Sequence, residues 1–537
     1  MKKERIGYIL IPLFLTIGII GGIFIGRYSA NRRVSAGEEK LRTVLGLIQD
    51  QYVDAIDIDS LLDESIPDLL TSLDPHSAYI AAQDLTLAND DLEGSFGGIG
   101  VSFQVINDTV TVVEVISNGP AEKVGLLPGD KILEADGKKL SGANATSEDV
   151  FKTLRGKEGT KVKVSVMRST SKTPLTFDIV RGEIPQNSVD ASYMIRDGIG
   201  YIKVSKFART TYSEFYTALT KLQKEGARKY VVDLRGNGGG FMDQAIYMVN
   251  EFLPAGKMIV FTKGRKADNE TVAMSDGTGQ FQNVPLTVIT NEFSASASEI
   301  FAGAIQDNDR GLVIGRRTFG KGLVQNQMAL PDSSAIRLTV ARYYTPSGRC
   351  IQKEYKRGKD GKYEMDIVDR LNHGEFYSQD SIKQDKSKLF HTMNGRTVYG
   401  GGGIMPDIFV PEDTTGYTSY YMEAVNRGLI NSFAQQMADA YRPMMRQKTV
   451  DEMLRIMPRD NTLLSNFASY AAGKGLPARW YYINQSRSLL LNQIKAVIAR
   501  DLVGYEGLIR ILNERDLTLE RALEALERDE LPVNIKK

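Results

Sequence analysis

Apolar residues recur at helical spacing near the start of the chain. Leu41, Val44, Leu45 and Ile48 fall on one face of a helix, and further apolar residues follow at the same spacing up to residue 93. The pattern predicts a helical N-terminal region over residues 36–93.

The pattern changes to short β-branched runs between residues 94 and 182. The runs Val110–Ile116, Lys131–Ala135 and Lys161–Met167 are separated by turns rich in glycine, proline and aspartate, and one short helix fits Ser147–Leu154. We therefore predict a separate β-rich domain over residues 94–182.

Strands and helices alternate over residues 183–410. The strands are predicted at Gly198–Val204, Lys229–Leu234 and Leu286–Thr290, and the helices at Thr211–Glu225, Phe241–Leu253 and Ala297–Asp307. Such alternation predicts an α/β core. Within it, residues 355–390 are polar and charged, which indicates an excursion or a flexible insertion. Residues 411–537 are charge-rich and are predicted to form a helical C-terminal region.

The segment Ile6–Gly26 carries no charged residue and would span about 31 Å as a helix, roughly one bilayer core. Tyr28 occupies a place where a signal-peptide cleavage site would need a small residue. We therefore expect residues 1–35 to hold a cytoplasmic tip, an uncleaved transmembrane anchor and a linker. Arginines after the segment nearly balance the basic residues before it, so charge alone leaves the orientation almost undecided. The expected location is the inner membrane, single-pass, with an extracytoplasmic or periplasmic catalytic domain.

Charge and composition exclude several classes of protein. The 537 residues include 67 Lys and Arg against 66 Asp and Glu, and this balance gives no sign of a nucleic-acid partner. The single cysteine, Cys350, excludes an intrachain disulfide and a cysteine-based zinc site. Only three histidines are present, so a histidine-dependent catalytic scheme has few candidates.

A glycine-rich turn, Gly94-Ser95-Phe96-Gly97-Gly98-Ile99-Gly100-Val101, leads into a strand at the start of the β-rich domain. Free backbone N–H groups in such a turn can hold a carboxylate, although a plain glycine hairpin gives the same pattern. With the later Gly-Pro-Ala, Gly-Leu and Pro-Gly-Asp turns, the segment closely resembles a PDZ domain. That resemblance implies a groove for a peptide C-terminus, received at Gly98, Ile99 and Gly100.

Two further motifs stand between a strand and a helix of the predicted core. Residues 233–240 read Asp-Leu-Arg-Gly-Asn-Gly-Gly-Gly, and residues 294–300 read Ser-Ala-Ser-Ala-Ser-Glu-Ile. A glycine turn there can donate N–H groups to an oxyanion, and a serine at a helix start can act as a nucleophile. A tight turn would also explain the first motif, and ordinary helix-capping serines would explain the second.

A fourth motif, residues 315–322, reads Gly-Arg-Arg-Thr-Phe-Gly-Lys-Gly and is close to a phosphate-binding P-loop. Gly322 stands where a P-loop needs serine or threonine, and the residues that follow indicate a strand. An exposed lysine in a turn also fits. A serine of the previous motif would need a base to act as a nucleophile, and none of the histidines lies in these motifs. Lys321 can serve as that base when burial keeps its amine neutral.

The ordered set of motifs resembles the C-terminal processing peptidases, also called tail-specific proteases. The motifs are LDPHSAY at 73–79, FGGIGV at 96–101, the PDZ pattern, DLRGNGGG at 233–240, SASASEI at 294–300, TFGKGLVQ at 318–325, ARYYTPSGRCIQ at 341–352 and GIMPDI at 403–408. The resemblance implies a PDZ domain at 94–182 inserted before a crotonase-like (ClpP-like) α/β peptidase core at 183–410, with helical terminal segments.

The same resemblance assigns roles to individual residues. It implies Ser296 as the nucleophile, Lys321 as the general base and Gln325 as the residue that positions Lys321. The main-chain N–H groups of Ala297 and Gly239 would form the oxyanion hole. The implied activity is a serine endopeptidase that cleaves near the C-terminus of protein substrates through an acyl-enzyme, without cofactor or metal.

The partners implied are proteins or peptides with exposed C-termini and a second copy in a homodimer. Two other functions stay open on the sequence: a catalytically inactive, membrane-anchored PDZ scaffold, and an NTPase that uses the loop at 315–322. Gly238 departs from the family pattern, because many relatives have proline there.

Overall fold

The computed structural model describes residues 35–106, 109–116, 118–142, 146–358 and 361–530. The chain divides into a compact unit that ends at Ser72 and a second unit that begins at Leu73. In the first unit, two helices are described, α1 (Ala36–Gln51) and α2 (Ile58–Thr71). A side-chain oxygen accepts a main-chain N–H at the start of each helix, which stabilises its first turn.

The predicted membrane anchor, Ile6–Gly26, lies outside the described residues. Within the ranges that are described, every helix is too short or too polar to cross a bilayer. On this finding, the prediction of a single-pass inner-membrane protein with a periplasmic catalytic domain is corrected.

The first part of the second unit contains a strand that pairs with the core, a helix and an antiparallel β-domain. Its elements are β1 (Ala78–Ile80), α3 (Ala82–Glu93), β2 (Ser95–Gly98), β3 (Val101–Ile106), β4 (Thr109–Val115), α4 (Pro120–Val124), β5 (Lys131–Ala135), β6 (Lys138–Lys139), α5 (Ser147–Leu154), β7 (Lys161–Met167), β8 (Leu175–Val180) and β9 (Gly182–Pro185). The main sheet has the order β3-β4-β5-β7-β8, with β6 on β5, and β2 pairs with β9. This last pairing brings the two ends of the domain together. Strand β3 is an edge strand, so one side of it is open to pair with a peptide.

The α/β core contains a six-stranded sheet and a five-stranded sheet. Its elements are β10 (Val189–Arg196), β11 (Ile199–Val204), α6 (Thr211–Lys224), β12 (Lys229–Asp233), α7 (Met242–Asn250), β13 (Met258–Gly264), β14 (Thr271–Met274), β15 (Leu286–Thr290), α8 (Ala297–Asp307), β16 (Leu312–Gly315), β17 (Leu323–Ala329), β18 (Ala335–Tyr344), α9 (Lys362–Asn372), β19 (Leu389–His391), β20 (Thr397–Tyr399) and β21 (Ile408–Phe409). The first sheet has the order β10-β11-β12-β15-β16-β21 and is parallel except for β10. The second has the order β1-β18-β13-β14, with β17 paired to β18. The predicted mixed α/β fold is confirmed.

A helical region follows the core. It comprises α10 (Ser419–Asn426), α11 (Leu429–Tyr441), α12 (Val450–Ile456), α13 (Asp460–Gly473), α14 (Trp480–Gln485), α15 (Arg487–Leu502), α16 (Tyr505–Asn513) and α17 (Leu517–Glu527). Helix α17 covers one face of the parallel sheet. Alternate strand residues point to opposite faces, so Val231 packs with Leu519 and Leu523, whereas Val232 packs with the α6–α8 side. The parallel sheet is therefore covered on both faces, as parallel sheets require.

Candidate active site

Ser296 stands at the N-terminal end of α8, after the loop that follows β15. Its backbone has φ 56° and ψ −114°, a strained conformation for a residue other than glycine. The half-buried side chain faces a cavity of about 850 Å³. The main-chain N–H of Ser296 donates to Glu299 Oε2 at 2.8 Å, so the strained turn is held by its own helix.

Lys321 lies in the loop between β16 and β17 and lines the same cavity. Its Nζ donates to Gln325 Oε1 at 3.1 Å, and Gln325 Nε2 donates to the carbonyl oxygen of His76. The structure therefore brings Ser296, Lys321 and Gln325 to one cavity. Among the described residues, the Lys321 amine is hydrogen-bonded to Gln325 and not to Ser296 Oγ.

The surroundings of Lys321 favour its neutral form. Burial lowers the pKa of the ammonium group, and the nearby Arg337 guanidinium lowers it further. The carboxylates of Glu299 and Asp74 act in the opposite direction without reversing the shift. A neutral amine can accept a proton, so this environment makes Lys321 suitable as a general base.

Glu299 connects the serine turn with the lysine loop. Its Oε2 accepts the main-chain N–H groups of Ser296 and Lys321 at 2.8 and 2.9 Å. Its Oε1 accepts the N–H of Gly320 at 2.8 Å and the hydroxyl of Thr318 at 2.5 Å. Burial raises the pKa of this carboxyl group, and the four donors oppose the rise. Sequence reasoning missed this role, because a glutamate three residues after a serine is also an ordinary helix-capping pattern.

Tyr343 joins the same two segments from strand β18. Its hydroxyl lies 3.0 Å from the carbonyl oxygen of Ser296 and 2.6 Å from that of Lys321. Burial raises the pKa of Tyr343 well above its ordinary value, so the hydroxyl keeps its proton. The distance between the serine turn and the lysine loop is thus fixed by two buried side chains, Glu299 and Tyr343.

The two main-chain groups predicted for the oxyanion hole lie beside the serine. Ala297 is the first residue of α8, so its N–H has no carbonyl partner within the helix. A Cβ added to Gly239, which has φ 101°, would lie 2.6 Å from the Ser296 Cβ, so only glycine allows this close approach. The Gly239 N–H, however, donates to Asn237 Oδ1 at 2.9 Å. In this conformation, Gly239 therefore already has an acceptor.

The predicted carboxylate-binding loop lies at the start of the β-domain. Gly98, Ile99 and Gly100 are all buried, and a cavity of about 580 Å³ opens beside the preceding Phe96 and Gly97. The Ile99 carbonyl accepts the N–H of Ala121 at 2.8 Å, which ties the loop to the domain core.

Two aromatic rings meet where the edge strand faces helix α5. Phe103 of β3 and Phe151 of α5 have ring centroids 4.9 Å apart. The two rings therefore occupy part of the space between the strand and the helix.

The loop at residues 315–322 lacks the features of a phosphate site. It leads into strand β17, whereas a P-loop opens a helix. The N–H groups of Gly320 and Lys321 donate to Glu299, and the N–H of Gly322 donates to Gln352 Oε1 at 2.8 Å. These donors are therefore not available to a phosphate, and the geometry argues against the NTPase hypothesis.

His76 contacts the candidate site through its main-chain carbonyl, which accepts from Gln325. Its ring Nε2 lies 2.6 Å from the Tyr363 hydroxyl. Burial lowers the pKa of His76 to about 4, and the charges of Lys321 and Lys353 contribute in the same direction. The ring is therefore neutral near pH 7 and engaged with a tyrosine, while the main-chain carbonyl of His76 accepts from Gln325.

Comparison with known proteins shows which protein families match this sequence. The sequence model of peptidase family S41 matches residues 198–362, a PDZ domain model matches residues 97–179, and a family of unknown function, DUF8443, matches residues 420–504. A solved structure of a photosystem II D1 C-terminal processing protease is 26% identical and covers 59% of this chain and 91% of its own, with a TM-score of 0.33.

Two similar proteins are named as proteases. A carboxy-terminal-processing protease of Bartonella bacilliformis is 39% identical over 310 residues, which is 57% of this chain and 70% of the relative. A probable CtpA-like serine protease of Staphylococcus aureus is 34% identical over 351 residues, which is 64% of this chain and 69% of the relative. The predicted family resemblance is thereby confirmed: this chain belongs to the carboxy-terminal-processing serine proteases of peptidase family S41 that carry a PDZ domain.

Proposed function

We propose that this protease is an endopeptidase that uses Ser296 as nucleophile and Lys321 as general base. The observation that carries the proposal is the burial of the Lys321 amine in the cavity that Ser296 faces, together with the resulting fall in its pKa. A serine hydroxyl needs a nearby base to attack a carbonyl, and a desolvated lysine can replace histidine in that role.

The first step transfers one proton and forms one bond. The Lys321 Nζ moves from Gln325 to the Ser296 hydroxyl and accepts its proton while Oγ attacks the peptide carbonyl carbon. The tetrahedral intermediate then collapses, the C–N bond breaks, and the leaving amine takes the proton back from Lys321. Water attacks the remaining ester with Lys321 again as base, which releases the shortened protein and regenerates the serine.

Main-chain donors stabilise the oxyanion of the intermediate. The N–H of Ala297 is suited to this because it lies at the positive end of helix α8. We assign the second donor to the glycine turn that packs on Ser296. The Gly239 N–H already donates to Asn237, so it can bind the oxyanion only if that hydrogen bond shifts. Otherwise the N–H of Gly238 or Gly240 supplies the second donor. Both of these glycines are exposed and line the cavity.

Gln325 positions the base. Its amide nitrogen donates to the His76 carbonyl, and this contact orients the amide oxygen toward the Lys321 amine. The lysine is therefore kept within the cavity between turnovers. When the amine is protonated, the Gln325 amide oxygen accepts a hydrogen bond from it.

The substrate is proposed to dock by its C-terminal carboxylate at Gly98, Ile99 and Gly100. The bound tail pairs with the open side of strand β3, and an upstream segment crosses the cavity at Ser296. Because the three loop residues are buried and the Phe103 and Phe151 rings occupy part of the adjacent space, tail binding requires a rearrangement of this domain. The domain boundaries at 94–182 and 183–410 and the homodimer stay predictions.

Removal of the C-terminal charge of a substrate is expected to slow its cleavage. A peptide amide lacks the carboxylate that main-chain N–H groups would hold, and charge-assisted hydrogen bonds contribute about 1.5–3 kcal/mol. We expect kcat/KM to fall roughly tenfold to a hundredfold relative to the free acid, measured by mass spectrometry of the products of an unfolded polypeptide in both forms.

Two controls accompany this experiment. Acetylation of the N-terminus of the same polypeptide should leave kcat/KM unchanged, whereas equal rates for acid and amide would contradict tail recognition. The Ser296→Ala protein should bind the free acid without cleaving it. Binding without cleavage by the unaltered protein would instead support the inactive PDZ scaffold.

The rate of cleavage is expected to rise with pH as Lys321 loses its proton. Arg337 lowers the pKa of Lys321, so removal of its charge should raise that pKa and move the rising part of the pH–rate profile to higher pH. We expect Arg337→Gln to show this displacement in kcat/KM measured between pH 6 and about pH 10. Arg342→Gln, which removes an exposed charge from the same strand, is the matched control. An unchanged profile in Arg337→Gln would argue against Lys321 as the base.

A further inference from the structure

Helix α17 begins in contact with the glycine turn of the catalytic core. Its N-cap residue, Asp516, accepts the N–H of Leu519 on Oδ1 at 2.9 Å. The other carboxylate oxygen, Oδ2, lies 2.6 Å from Arg235 Nη2. One carboxylate therefore caps a C-terminal helix and also pairs with a residue of the motif at 233–240. The helix lies outside the segment that matches the peptidase family.

Arg235 stands over a buried aspartate at the end of β12. Asp233 has 1% of its side chain exposed and accepts from the Arg235 N–H at 2.9 Å and from its Nη2 at 2.6 Å. It also accepts from Lys203 Nζ at 3.2 Å and from the Tyr201 hydroxyl at 2.8 Å. Burial would raise the pKa of Asp233, but Arg235 and Lys203 lower it overall. Two cations thus face one anion, and Asp516 supplies the second negative charge.

The residues after Arg235 are bonded to both sides of the nucleophile. The Asn237 carbonyl accepts the N–H of Ala295 and the hydroxyl of Ser298, each at 2.9 Å. These two residues flank Ser296. A displacement of Arg235 is therefore transmitted through one short turn to the backbone before the serine and to the Ser298 side chain after it.

We infer that Asp516 is a positioning residue for the peptidase reaction and acts through Arg235 to hold the glycine turn against Ser296. The inference rests on the proposed role of Ser296 as nucleophile. The turn carries the glycine N–H groups assigned to the oxyanion, and such donors act on charge that develops only in the transition state. Loss of the Asp516 charge should therefore lower kcat more than it changes KM.

The variant Asp516→Asn separates this role from helix capping. Asparagine caps helices as well as aspartate does, so the start of α17 should be preserved while the ion pair with Arg235 is lost. We expect kcat for the free-acid polypeptide to fall roughly tenfold to a hundredfold, since a misplacement of about 1 Å can cost on the order of a hundredfold. KM should stay within about twofold, and Tm within about 3 °C of the unaltered protein.

Glu520→Gln is the matched control on the same helix. Glu520 pairs with Arg196 at 2.6 Å and has no contact with the glycine turn, so its loss removes a carboxylate from α17 without touching the turn. Its kcat should match that of the unaltered protein. A similar fall of kcat in Glu520→Gln would overturn the inference, because the effect would then come from loosening the helix.

A peptide aldehyde gives a readout that a purely structural role would not change. Ser296 Oγ bonds to the aldehyde carbon, its proton passes to Lys321, and the resulting oxyanion faces the same donors as in catalysis. We expect the inhibition constant to rise in Asp516→Asn by the factor by which kcat falls, while binding of uncleaved polypeptide to the double variant with Ser296→Ala stays unchanged.

The outcomes distinguish this inference from the proposed function. Cleavage by Ser296→Ala would refute the proposed function itself. An inactive Ser296→Ala together with unaltered kcat in Asp516→Asn would refute only the role of Asp516. Asparagine and serine both retain the helix cap, so a large fall of Tm in both Asp516→Asn and Asp516→Ser would reduce Asp516 to a residue that stabilises the fold through its ion pair, and would also overturn the inference.

Discussion

Lys321→Ala is expected to lower kcat by on the order of 10⁴–10⁶-fold, because the serine hydroxyl then has no base. Lys321→Arg should be equally inactive, since a guanidinium group keeps its proton at any working pH. The alanine variant also removes a buried amino group whose charged form is disfavoured by burial, so its fold should be at least as stable as that of the unaltered protein. Rates measured by mass spectrometry at pH 8, with Tm measured in parallel, check both expectations.

The effects of Lys321 and Ser296 should not add. Two groups that act in one proton transfer fail together, so the double alanine variant should be no slower than either single variant. Lys263→Ala, which removes an exposed lysine from strand β13, is the control and should leave kcat unchanged. More than a few per cent of the normal activity in Lys321→Arg would exclude the proposed mechanism.

Glu299→Ala is expected to give the largest loss of stability of any substitution considered. The change leaves four buried or half-buried donors without an acceptor, namely three main-chain N–H groups and the Thr318 hydroxyl. Unpaired buried donors cost about 1–3 kcal/mol each, and partial relaxation brings the expected loss to about 3–5 kcal/mol. Urea unfolding should show a lower midpoint, and peptidase activity should be lost because Ser296 and Lys321 are no longer held together.

Glu299→Gln provides a graded comparison. The amide retains one acceptor oxygen, but its NH₂ group would face two donors, so we expect an intermediate loss of stability. Glu364→Ala removes an exposed glutamate from helix α9 and should change the free energy of unfolding by less than about 0.5 kcal/mol. A midpoint for Glu299→Ala equal to that of Glu364→Ala would contradict the assigned role of Glu299.

Local pattern in the sequence was sufficient for much of the fold. The strand Leu286–Thr290 and the helix Ala297–Asp307 were predicted with the bounds that the structure has, as was the short helix Ser147–Leu154. These elements have regular apolar spacing and clear glycine, serine or proline boundaries. The predicted helix Phe241–Leu253 is shorter in the structure, Met242–Asn250, because its last turn becomes irregular where Phe252 and Leu253 enter the core.

The contacts around the candidate site were less accessible to sequence reasoning. Arg337 and Tyr343 reach Lys321 and Ser296 from strand β18. Tyr343 lies in the motif at 341–352, but the motif does not indicate its contacts, and nothing in the local sequence marks Arg337. The hydrogen bond from Gly239 to Asn237 was missed for a different reason, since a run of glycines does not specify which N–H groups point outward. Such pairings depend on how distant segments come together, and a single sequence carries no signal for them.

The structure of residues 355–390 also could not be predicted from local composition. Their polar composition indicated an excursion or a flexible insertion, yet helix α9 buries Arg370 against the core. The Arg370 guanidinium donates to the carbonyl oxygens of Arg317 and Thr318, shortly before Lys321. Composition alone does not distinguish a buried arginine that donates hydrogen bonds to carbonyl groups from an arginine exposed to solvent.

The pairing of Arg235 with Asp516 has a consequence for how the enzyme is made. The two residues lie about 280 positions apart, so a ribosome that adds 5–20 residues per second needs roughly 15–60 s between them. During that interval the glycine turn can form on its own strand but lacks its partner carboxylate. A nascent chain would therefore carry its serine and lysine well before that turn is fully held, and this delay would limit proteolysis of neighbouring chains during synthesis.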